Sequence, residues 1–372
     1  MKINSNRETL IKGIQTIQAG VSSKTGTIPI LQNFLMETEE KGVKVVFTDL
    51  EMAIKHHIPV EIKGEGSITV PIKKFMEIVQ NLGEDSSVNI AVDENNRISI
   101  LSGKSRFKLG GAPKNDYPVI PDLDESNSFK VPAKLLADMI NGTIFSASTE
   151  DDRHFLNGLL WKFEKDTFFL VATDGRRLAV SSTRKVKAKK EFKAIVPSKI
   201  LGELSRFIKA SGAKDDDEVT VGLSSNQIGF RLGKTVFISR LVEGNFPAYE
   251  QIIPKSHEME VTLKAEKLTA VTKRAAICSS ERSGAVKYTF RKGALVVNSA
   301  SQSMDFEDEI EADYDGKEFQ ISFNPKFILD ILKAAGEGEV TAEFTSPSTP
   351  ALLRMKGHEG LLYIVMPLRT QA

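Results

Sequence analysis

The chain has 372 residues, of which 41% are hydrophobic and 27% charged, a balance typical of globular proteins with more than one apolar core. Its 50 basic and 49 acidic residues give a net charge of +1, which excludes a uniformly basic protein but not a local basic surface. The N-terminus carries no signal-peptide pattern and no apolar run reaches about 18 residues, so we expect no membrane association and a cytoplasmic location.

Three successive segments share one order of signals: an extended start, an amphipathic helix, a β-rich stretch, a proline, a second helix ending at a glycine, and further strands. In copy one these signals fall at 2–4, Leu10, 43–49, Pro71, Gly83 and 88–100. In copy two they fall at 129–131, Leu136, 168–174, Pro197, Gly212 and 219–230. In copy three they fall at 260–262, Leu268, 294–298, Pro325, Gly336 and 340–353.

This repetition predicts an α+β protein made of three tandem copies, each with two helices packed on antiparallel sheets. The joins fall in polar, loop-like segments near 122–128 and 254–260. We therefore predict domains at 1–125, 126–254 and 255–372.

The second helix of copy two has two distinct faces. Its spacing predicts a buried stripe of Ile200, Leu204, Phe207 and Ile208. The opposite face carries Lys199, Arg206 and Lys209. A lysine on one helix is usually only a solvated residue. Here basic residues recur on equivalent helices of the repeat, for example Lys73 in copy one. Such a surplus favours non-specific contact with a phosphate backbone.

Catalytic and metal-binding motifs are missing from the sequence. It has no phosphate loop, no nucleophile elbow and no metal-ligand spacing among its five histidines. Asp49 is more typical of a turn cap than of a carboxylate pair. The run 215–218 is more typical of a solvated loop than of a metal cluster. Cys278 is more typical of a small buried or interface residue than of a nucleophile. We predict no enzyme activity, no metal and no cofactor.

Several short segments carry a family resemblance. The most distinctive are Thr173-Asp174-Gly175-Arg176-Arg177-Leu178-Ala179, Leu241-Val242-Glu243-Gly244-Asn245-Phe246-Pro247-Ala248-Tyr249 and Tyr363-Ile364-Val365-Met366-Pro367-Leu368-Arg369. Together with Ile28-Pro29-Ile30-Leu31 and Phe155-Leu156-Asn157-Gly158, their order and spacing resemble the bacterial DNA polymerase III beta subunit, the replicative sliding clamp, over essentially the whole chain.

The resemblance implies a head-to-tail homodimer that closes a six-domain ring around double-stranded DNA without reading its sequence. Such a ring tethers the replicative polymerase for processive synthesis and has no catalytic activity of its own. The implied partners are the polymerase alpha subunit, the clamp-loader complex and other proteins that carry a clamp-binding motif.

The resemblance also implies site residues. A cleft for partner peptides would be lined by Leu156, Thr173, Gly175, Arg176, Leu178, Pro247, Ile252, Met366, Pro367, Leu368 and Arg369. The dimer interface would contain Lys104, Arg106, Phe107, Leu109, Ile277 and Cys278, with acids such as Glu307 and Asp308 facing the two cations. DNA contacts would come from Lys24, Arg153, His154 and Phe155, besides the helix cations.

Other interpretations stay open at this point. Leu156 and Leu178, taken alone, are more typical of a packed core, and the ending 366–369 is as typical of core packing as of a groove. Arg176 stands where many relatives have histidine, Gln251 where some have arginine, and His154 in place of an aromatic residue, while 370–372 extend past the usual end. The alternatives are a phosphoester- or nucleotide-processing enzyme that uses the turn 174–177 as its anion site, and a repeat protein that binds only proteins.

Overall fold

The same order of elements occurs three times along the chain, in a computed structural model that describes residues 1–18, 28–84, 86–150, 153–279 and 284–368. Copy one consists of β1 (Lys2–Asn6), α1 (Arg7–Gln18), β2 (Asn33–Glu39), β3 (Gly42–Thr48), β4 (Met52–Ile58), β5 (Glu61–Gly64), β6 (Ser67–Pro71), α2 (Ile72–Gln80), β7 (Ser87–Val92), β8 (Arg97–Ser102) and β9 (Ser105–Gly110). Copy two consists of β10 (Phe129–Pro132), α3 (Ala133–Asn141), β11 (Gly158–Glu164), β12 (Thr167–Thr173), β13 (Arg177–Thr183), β14 (Phe192–Pro197), α4 (Ser198–Ala210), β15 (Glu218–Leu223), β16 (Gln227–Leu232) and β17 (Thr235–Arg240). Copy three consists of β18 (Met259–Lys264), α5 (Ala265–Cys278), β19 (Val286–Arg291), β20 (Ala294–Ala300), β21 (Asp305–Glu311), β22 (Phe319–Phe323), α6 (Pro325–Ala335), β23 (Glu339–Phe344), β24 (Ala351–Met355) and β25 (Leu361–Val365).

Copies two and three have identical element orders, and copy one adds only β5, which pairs with β1 at a sheet edge. Short 3-10 helices cover Pro29–Gln32, Lys114–Asp116, Ile144–Ser146, His154–Leu156 and Tyr249–Ile252. The prediction of three tandem α+β copies is confirmed. The domain boundaries stay a prediction.

The chain divides into two compact units. Unit 1 comprises Met1–Ala137 and Lys199–Leu241, and unit 2 comprises Asp138–Ser198 and Val242–Ala372. Unit 1 holds a five-stranded sheet in the order β5-β1-β7-β8-β9 and an eight-stranded sheet in the order β10-β15-β16-β17-β4-β3-β2-β6. Unit 2 holds an eight-stranded sheet in the order β14-β11-β12-β13-β25-β24-β23-β18 and a four-stranded sheet in the order β21-β20-β19-β22. Copy two thus contributes strands to both units.

Each eight-stranded sheet is continued from one copy into the next by one antiparallel pairing, which we call a seam. In the first seam β17 pairs with β4 and Phe237 lies opposite Ile54. In the second seam β25 pairs with β13 and Tyr363 lies opposite Ala179. All four of these side chains are buried. In both seams the last strand of one copy therefore pairs with a strand of the copy before it, β4 in copy one and β13 in copy two. Each of these is the third strand after the first helix of its copy, and we call it the third central strand.

Alternating apolar side chains bury one face of each sheet against a helix layer. Val340, Ala342 and Phe344 of β23, for example, are buried while their neighbours in the strand are half-exposed. In unit 1 the rings of Phe34 and Phe75 meet edge-on at 5.5 Å and join β2 to α2.

Local signals fix the helix ends. Asn324 caps α6 by accepting a hydrogen bond from the backbone N–H of Lys326 at 3.0 Å, and Pro325 is its first residue. Gly336 ends this helix with φ +84, a left-handed conformation that glycine adopts without strain. The prediction that proline also opens the helix is wrong in copies one and two, where Pro71 and Pro197 are the last residues of strands, because the fixed φ of proline suits either position.

The face of α4 differs in part from its prediction. Ile200, Leu204 and Ile208 are buried as expected, whereas Phe207, predicted in the same stripe, is half-buried, with its ring centre 5.4 Å from that of Phe237. Lys199, expected on the solvent face, is half-buried and paired with Asp49, so its charge is neutralised within unit 1. Glu203 is also buried, and burial raises the pKa of its carboxyl although it accepts a hydrogen bond from Arg206 at 2.5 Å. Helical periodicity alone does not reveal the Asp49 partner of Lys199, since Asp49 lies in another copy, whereas Arg206 follows Glu203 by one turn of the same helix.

A histidine lies within the first seam. His56 of β4 has its Nδ1 2.8 Å from the Thr235 hydroxyl of β17. Burial, together with the nearby charges of His57 and Lys234, lowers the pKa of His56 to about 4. The seam is therefore built around a neutral imidazole.

Candidate functional site

Unit 2 contains a solvent-open cleft of about 360 Å³. Four chain segments form it: the 3-10 helix His154–Leu156, the turn between β12 and β13, the segment 247–252, and the end of β25. It is lined by Arg153, Phe155, Leu156, Thr173, Gly175, Arg176, Arg177, Pro247, Ala248, Tyr249, Ile252, Ile364 and Met366.

The turn between β12 and β13 is held by its own side chains. One carboxylate oxygen of Asp174 accepts from the backbone N–H groups of Arg176 and Arg177 at 2.9 and 3.0 Å. The Thr173 hydroxyl donates to the carbonyl of Arg177 at 2.6 Å and accepts from the N–H of Gly175 at 3.0 Å. Gly175 takes φ +84, so a left-handed residue is needed where the turn faces the cleft. Asp49 caps the equivalent turn of copy one, as predicted, by accepting from two backbone N–H groups.

A layer of packed apolar side chains forms the floor of the cleft. Ile364 and Tyr249 belong to one buried cluster with residues of β11, β12 and β13. Burial raises the pKa of Tyr249 to about 12. A firm apolar floor of this kind suits the aliphatic or aromatic side chain of a ligand.

The rim of the cleft carries positive charge. Arg153 and Arg176 are exposed, and Ile252 is 37% exposed. A Cβ atom added to Gly175 would lie 3.3 Å from the Arg153 guanidinium, so Arg153 reaches over this turn. The site thus offers apolar contacts inside and cationic groups at its edge.

Most residues predicted for the cleft do surround one cavity: Leu156, Thr173, Gly175, Arg176, Pro247, Ile252 and Met366. Leu178 does not, because it is buried in the cluster beneath the floor. Pro367 and Leu368 line a different, larger depression of about 1460 Å³ along β21, β20, β19 and β22. Arg369 lies outside the described residues. The role of the cleft residues in binding stays a prediction.

Four residues of the lining were not predicted: Arg177, Ala248, Tyr249 and Ile364. All four belong to the segments that carry the family resemblance, and that membership was the signal that could have found them. Arg153 and Phe155, assigned to DNA, also line the cleft, while His154 between them is exposed. Their contact with DNA stays a prediction, and Lys24 lies outside the described residues.

Residues predicted for a dimer interface lie on or beside the edge strand β9 and at the end of α5, which contacts the edge strand β21, and their role in dimerisation stays a prediction. The strand β9 is an edge strand on which Arg106 and Phe107 are exposed, Leu109 is half-buried, and Lys104 is exposed in the preceding turn. In unit 2, β21 is the edge strand of the four-stranded sheet, Ile277 at the end of α5 is 71% exposed, and Cys278 is half-buried. Asp308 already pairs with Arg274, with 3.1 Å between the Arg274 Nε and the Asp308 carboxylate.

The helix cations fall into two groups. Lys199 and Arg206 pair with Asp49 and Glu203, so part of their charge is neutralised. Lys73 and Lys209 are exposed and form no ion pair with the described part of the chain. No helix among the described residues is long and apolar enough to cross a membrane, and within the same residues no cluster of three or more potential ligands could hold a metal ion.

Three tandem α+β copies joined by continuous sheets are the architecture of a sliding clamp. Models of the N-terminal, central and C-terminal domains of the DNA polymerase III beta subunit match residues 1–121, 130–248 and 250–369. The chain belongs to the DNA polymerase III beta subunit family.

Individual relatives agree with this assignment. The beta sliding clamp of Haemophilus influenzae is 31% identical over 99% of this chain and 100% of its own length. The beta sliding clamp of Bacillus subtilis is 30% identical over 100% of both chains. A crystal structure of the Pseudomonas aeruginosa sliding clamp bound to griselimycin is 30% identical, covers 100% of both chains and superposes with a TM-score of 0.93.

The protein is therefore a replicative sliding clamp, a non-catalytic processivity factor that supports DNA synthesis. The alternative of an enzyme that uses the turn 174–177 has no support. Arg177 is buried, and its guanidinium is bonded to Asp174, Asp330 and the carbonyl of Phe145. It therefore offers no free anion site.

Proposed function

We propose that two copies of this chain join head to tail into a ring around double-stranded DNA in the cytoplasm. The cleft of each subunit binds the clamp-binding motifs of the polymerase alpha subunit, the clamp loader and other partners. The observation that carries this proposal is that β9 and β21 are edge strands in the same chain.

The two seams within the chain indicate how these edge strands would pair in the dimer. Each seam pairs the last strand of one copy with the third central strand of the preceding copy. By that rule β9, the last strand of copy one, and β21, the third central strand of copy three, each lack one neighbour. Pairing β9 with β21 of the partner subunit satisfies both edges, and this head-to-tail contact either closes or propagates.

Hairpin geometry supports one register for this pairing. The β8–β9 and β16–β17 hairpins both close over a Gly-Lys turn, so Phe107 corresponds to Phe237. The β20–β21 and β3–β4 hairpins both close over four residues, so Phe306 corresponds to Ile54. Because Phe237 lies opposite Ile54, Phe107 would lie opposite Phe306 of the partner subunit.

This register brings opposite charges together. Antiparallel neighbours share a sheet face, so Lys104, Arg106 and Lys108 would face Glu309, Glu307 and Asp305 of the partner subunit. The other face would carry the pair of phenylalanines, near Ile277 and Cys278 at the end of α5. Asp308, which points with Phe306 and is held by Arg274, is not part of the charged row.

Charge reversal tests the dimer and its register together. Arg106→Glu places two acids opposite each other at both interfaces, at a cost of roughly 1 kcal/mol each, or about a 30-fold rise in the dimer Kd. Arg106→Glu with Glu307→Arg should restore the dimer. Arg106→Glu with Glu309→Arg, the matched control, should not. Sedimentation equilibrium measures these constants, and equal rescue by both second changes would refute the register.

The apolar floor and cationic rim support peptide binding in the cleft. Because the Pseudomonas aeruginosa clamp binds griselimycin, this compound is a defined probe for the present chain. Calorimetric titration should show one griselimycin site per subunit, and Met366→Ala should weaken griselimycin binding at that site. An unchanged affinity in Met366→Ala would place the binding site elsewhere.

Exposed helix lysines support a sliding, sequence-independent contact with DNA. Topological linkage needs no tight binding, so a few unpaired cations such as Lys73 and Lys209 suffice. The clamp loaded on nicked circular DNA should be retained and should be lost once that DNA is linearised. Equal retention on both forms would refute encirclement.

A further inference from the structure

One buried cation connects three separate parts of unit 2. Arg177 is 8% exposed at the start of β13. Its Nε donates to the Asp174 carboxylate at 3.0 Å, one terminal nitrogen to the Asp330 carboxylate of α6 at 2.7 Å, and the other to the carbonyl of Phe145 at 2.6 Å. The planar guanidinium thus binds a turn, a helix and a 3-10 helix at once.

Two aromatic rings enclose the same guanidinium. Its central carbon lies 5.4 Å from the ring centre of Phe145 and 4.7 Å from that of Phe327. Cation–π attraction is strongest where the cation has lost its water, as it has here. Removing one partner from such a buried arrangement leaves an unpaired charge, so the arrangement resists partial opening.

The turn that Arg177 holds is also a wall of the cleft. Asp174 uses one carboxylate oxygen to fix the backbone of the turn and the other to receive Arg177. The turn presents Thr173, Gly175 and Arg176 to the cleft. The carbonyl of Arg176 in turn accepts the N–H of Met366 at 2.9 Å, which ties the opposite lining segment to it.

Copy one provides an internal comparison. Asp49 caps the equivalent turn in the same way, but the position equivalent to Arg177 is Met52, and the free carboxylate oxygen of Asp49 is taken by Lys199. A lysine supplies a point charge on a flexible stem, whereas an arginine supplies several fixed donors. Of these two equivalent turns, it is therefore the cleft-forming turn of unit 2 that one arginine joins to a helix and a 3-10 helix.

We propose that Arg177 is a positioning residue: it holds the turn Asp174–Arg176 in the geometry that partner peptides recognise, and it does so through Asp174 and Asp330. The inference rests on the proposed peptide-binding role of the cleft. The floor of the cleft supplies the apolar contact. Arg177 holds the turn Asp174–Arg176, which forms one wall of the cleft, in its binding geometry before the ligand arrives. Preorganisation of this kind lowers the ordering cost of binding.

The test uses the full-length clamp with griselimycin as the probe. Arg177→Met should weaken binding roughly tenfold, Asp330→Asn by less, and Arg177→Lys should recover part of the loss. Arg354→Met is the matched control, because it removes another ion pair of unit 2, with Glu343, away from the cleft. All titrations are made well below the unfolding temperature of each variant.

Two readouts separate positioning from general destabilisation. Hydrogen exchange at the amides of Gly175 and Arg176 should accelerate in Arg177→Met and not in Arg354→Met. In primer extension with the cognate polymerase, the clamp concentration for half-maximal rate should rise about tenfold while the rate at saturation stays unchanged. A fall in the saturating rate, or equal exchange in both variants, would overturn the positioning role.

These experiments also distinguish the positioning role of Arg177 from the proposed binding of peptides in the cleft. If Met366→Ala loses griselimycin binding but Arg177→Met binds like the wild type, the cleft stands and the positioning role is refuted. If the wild type does not bind griselimycin and Met366→Ala leaves primer extension unchanged, the cleft proposal fails. In that case the exchange experiment still decides whether Arg177 holds the turn.

Discussion

Removing the ring of Phe107 should weaken the proposed dimer strongly. Phe107 lies on the edge strand β9 and is 37% exposed in the single chain, although phenylalanine normally prefers burial. In the seam that serves as template, the equivalent Phe237 is 1% exposed. Dimerisation should therefore bury the exposed part of the Phe107 ring against Phe306 of the partner subunit.

The expected loss follows from the buried area. A phenylalanine presents about 200 Å² when exposed, so the exposed fraction of Phe107 amounts to about 75 Å², worth about 2 kcal/mol at ~25 cal/mol per Å². The head-to-tail dimer contains this contact twice, which gives about 4 kcal/mol per dimer. Phe107→Ala should then raise the dimer Kd by about a thousandfold.

Sedimentation equilibrium or mass photometry at nanomolar concentration measures this change, because the monomer has a mass of 41.0 kDa. Val119→Ala is the matched control, since Val119 is 95% exposed and the proposed interface does not include it. Phe107→Ala combined with Phe306→Ala should cost less than the sum of the single changes, since the two rings contact each other. An unchanged Kd in Phe107→Ala, with unit 1 still folded, would refute the strand pairing.

Three further predictions concern other parts of the molecule. Because His56 stays neutral in the folded protein down to its pKa of about 4 but titrates near 6.5 when unfolded, its contribution to stability should be constant above pH 6.5. That contribution should fall by about 3 kcal/mol as the pH drops from 6.5 to 4. Thermal unfolding of wild type and His56→Gln across this range tests it, and parallel curves would contradict it. Gly175→Ala should lower the free energy of unfolding by roughly 1 kcal/mol, because φ +84 strains a residue with a Cβ. The same change should weaken griselimycin binding. An unchanged melting temperature and affinity would argue against a constrained turn. Lys73→Gln and Lys209→Gln should each reduce the slope of log K for DNA against log salt by about 1, whereas Lys356→Gln, which removes a cation paired with Glu339, should leave the slope unchanged.

Local patterns were enough to locate the repeated elements. The predicted strand at 168–174 is β12 (Thr167–Thr173), and the helix after Pro325 is α6 (Pro325–Ala335) with Gly336 just past its end. These elements depend on residues close together in the chain. Seven of the residues that the family resemblance implied for the cleft surround one cavity, although they come from four distant segments.

Other features depend on partners that are distant in sequence. The sequence suggested that Leu178 faces the cleft and that Lys199 faces solvent, but the first side chain lies under the floor and the second is paired with Asp49. Arg177 is the clearest case, since its partners Phe145 and Asp330 come from other copies or elements and no spacing rule connects them.

Sequence patterns were sufficient to show that one α+β unit occurs three times, to locate its helices and several of its strands, and to indicate the family that the chain resembles. They did not show that sheets continue from copy to copy through β17–β4 and β13–β25, or that β9 and β21 are left at the edges, which required the folded structure. The physical reason is that a strand's apolar alternation records which face is buried, whereas its backbone hydrogen bonds are the same for any neighbour. Residues as far apart as His56 and Thr235, separated by 179 positions, meet only once the sheet has formed.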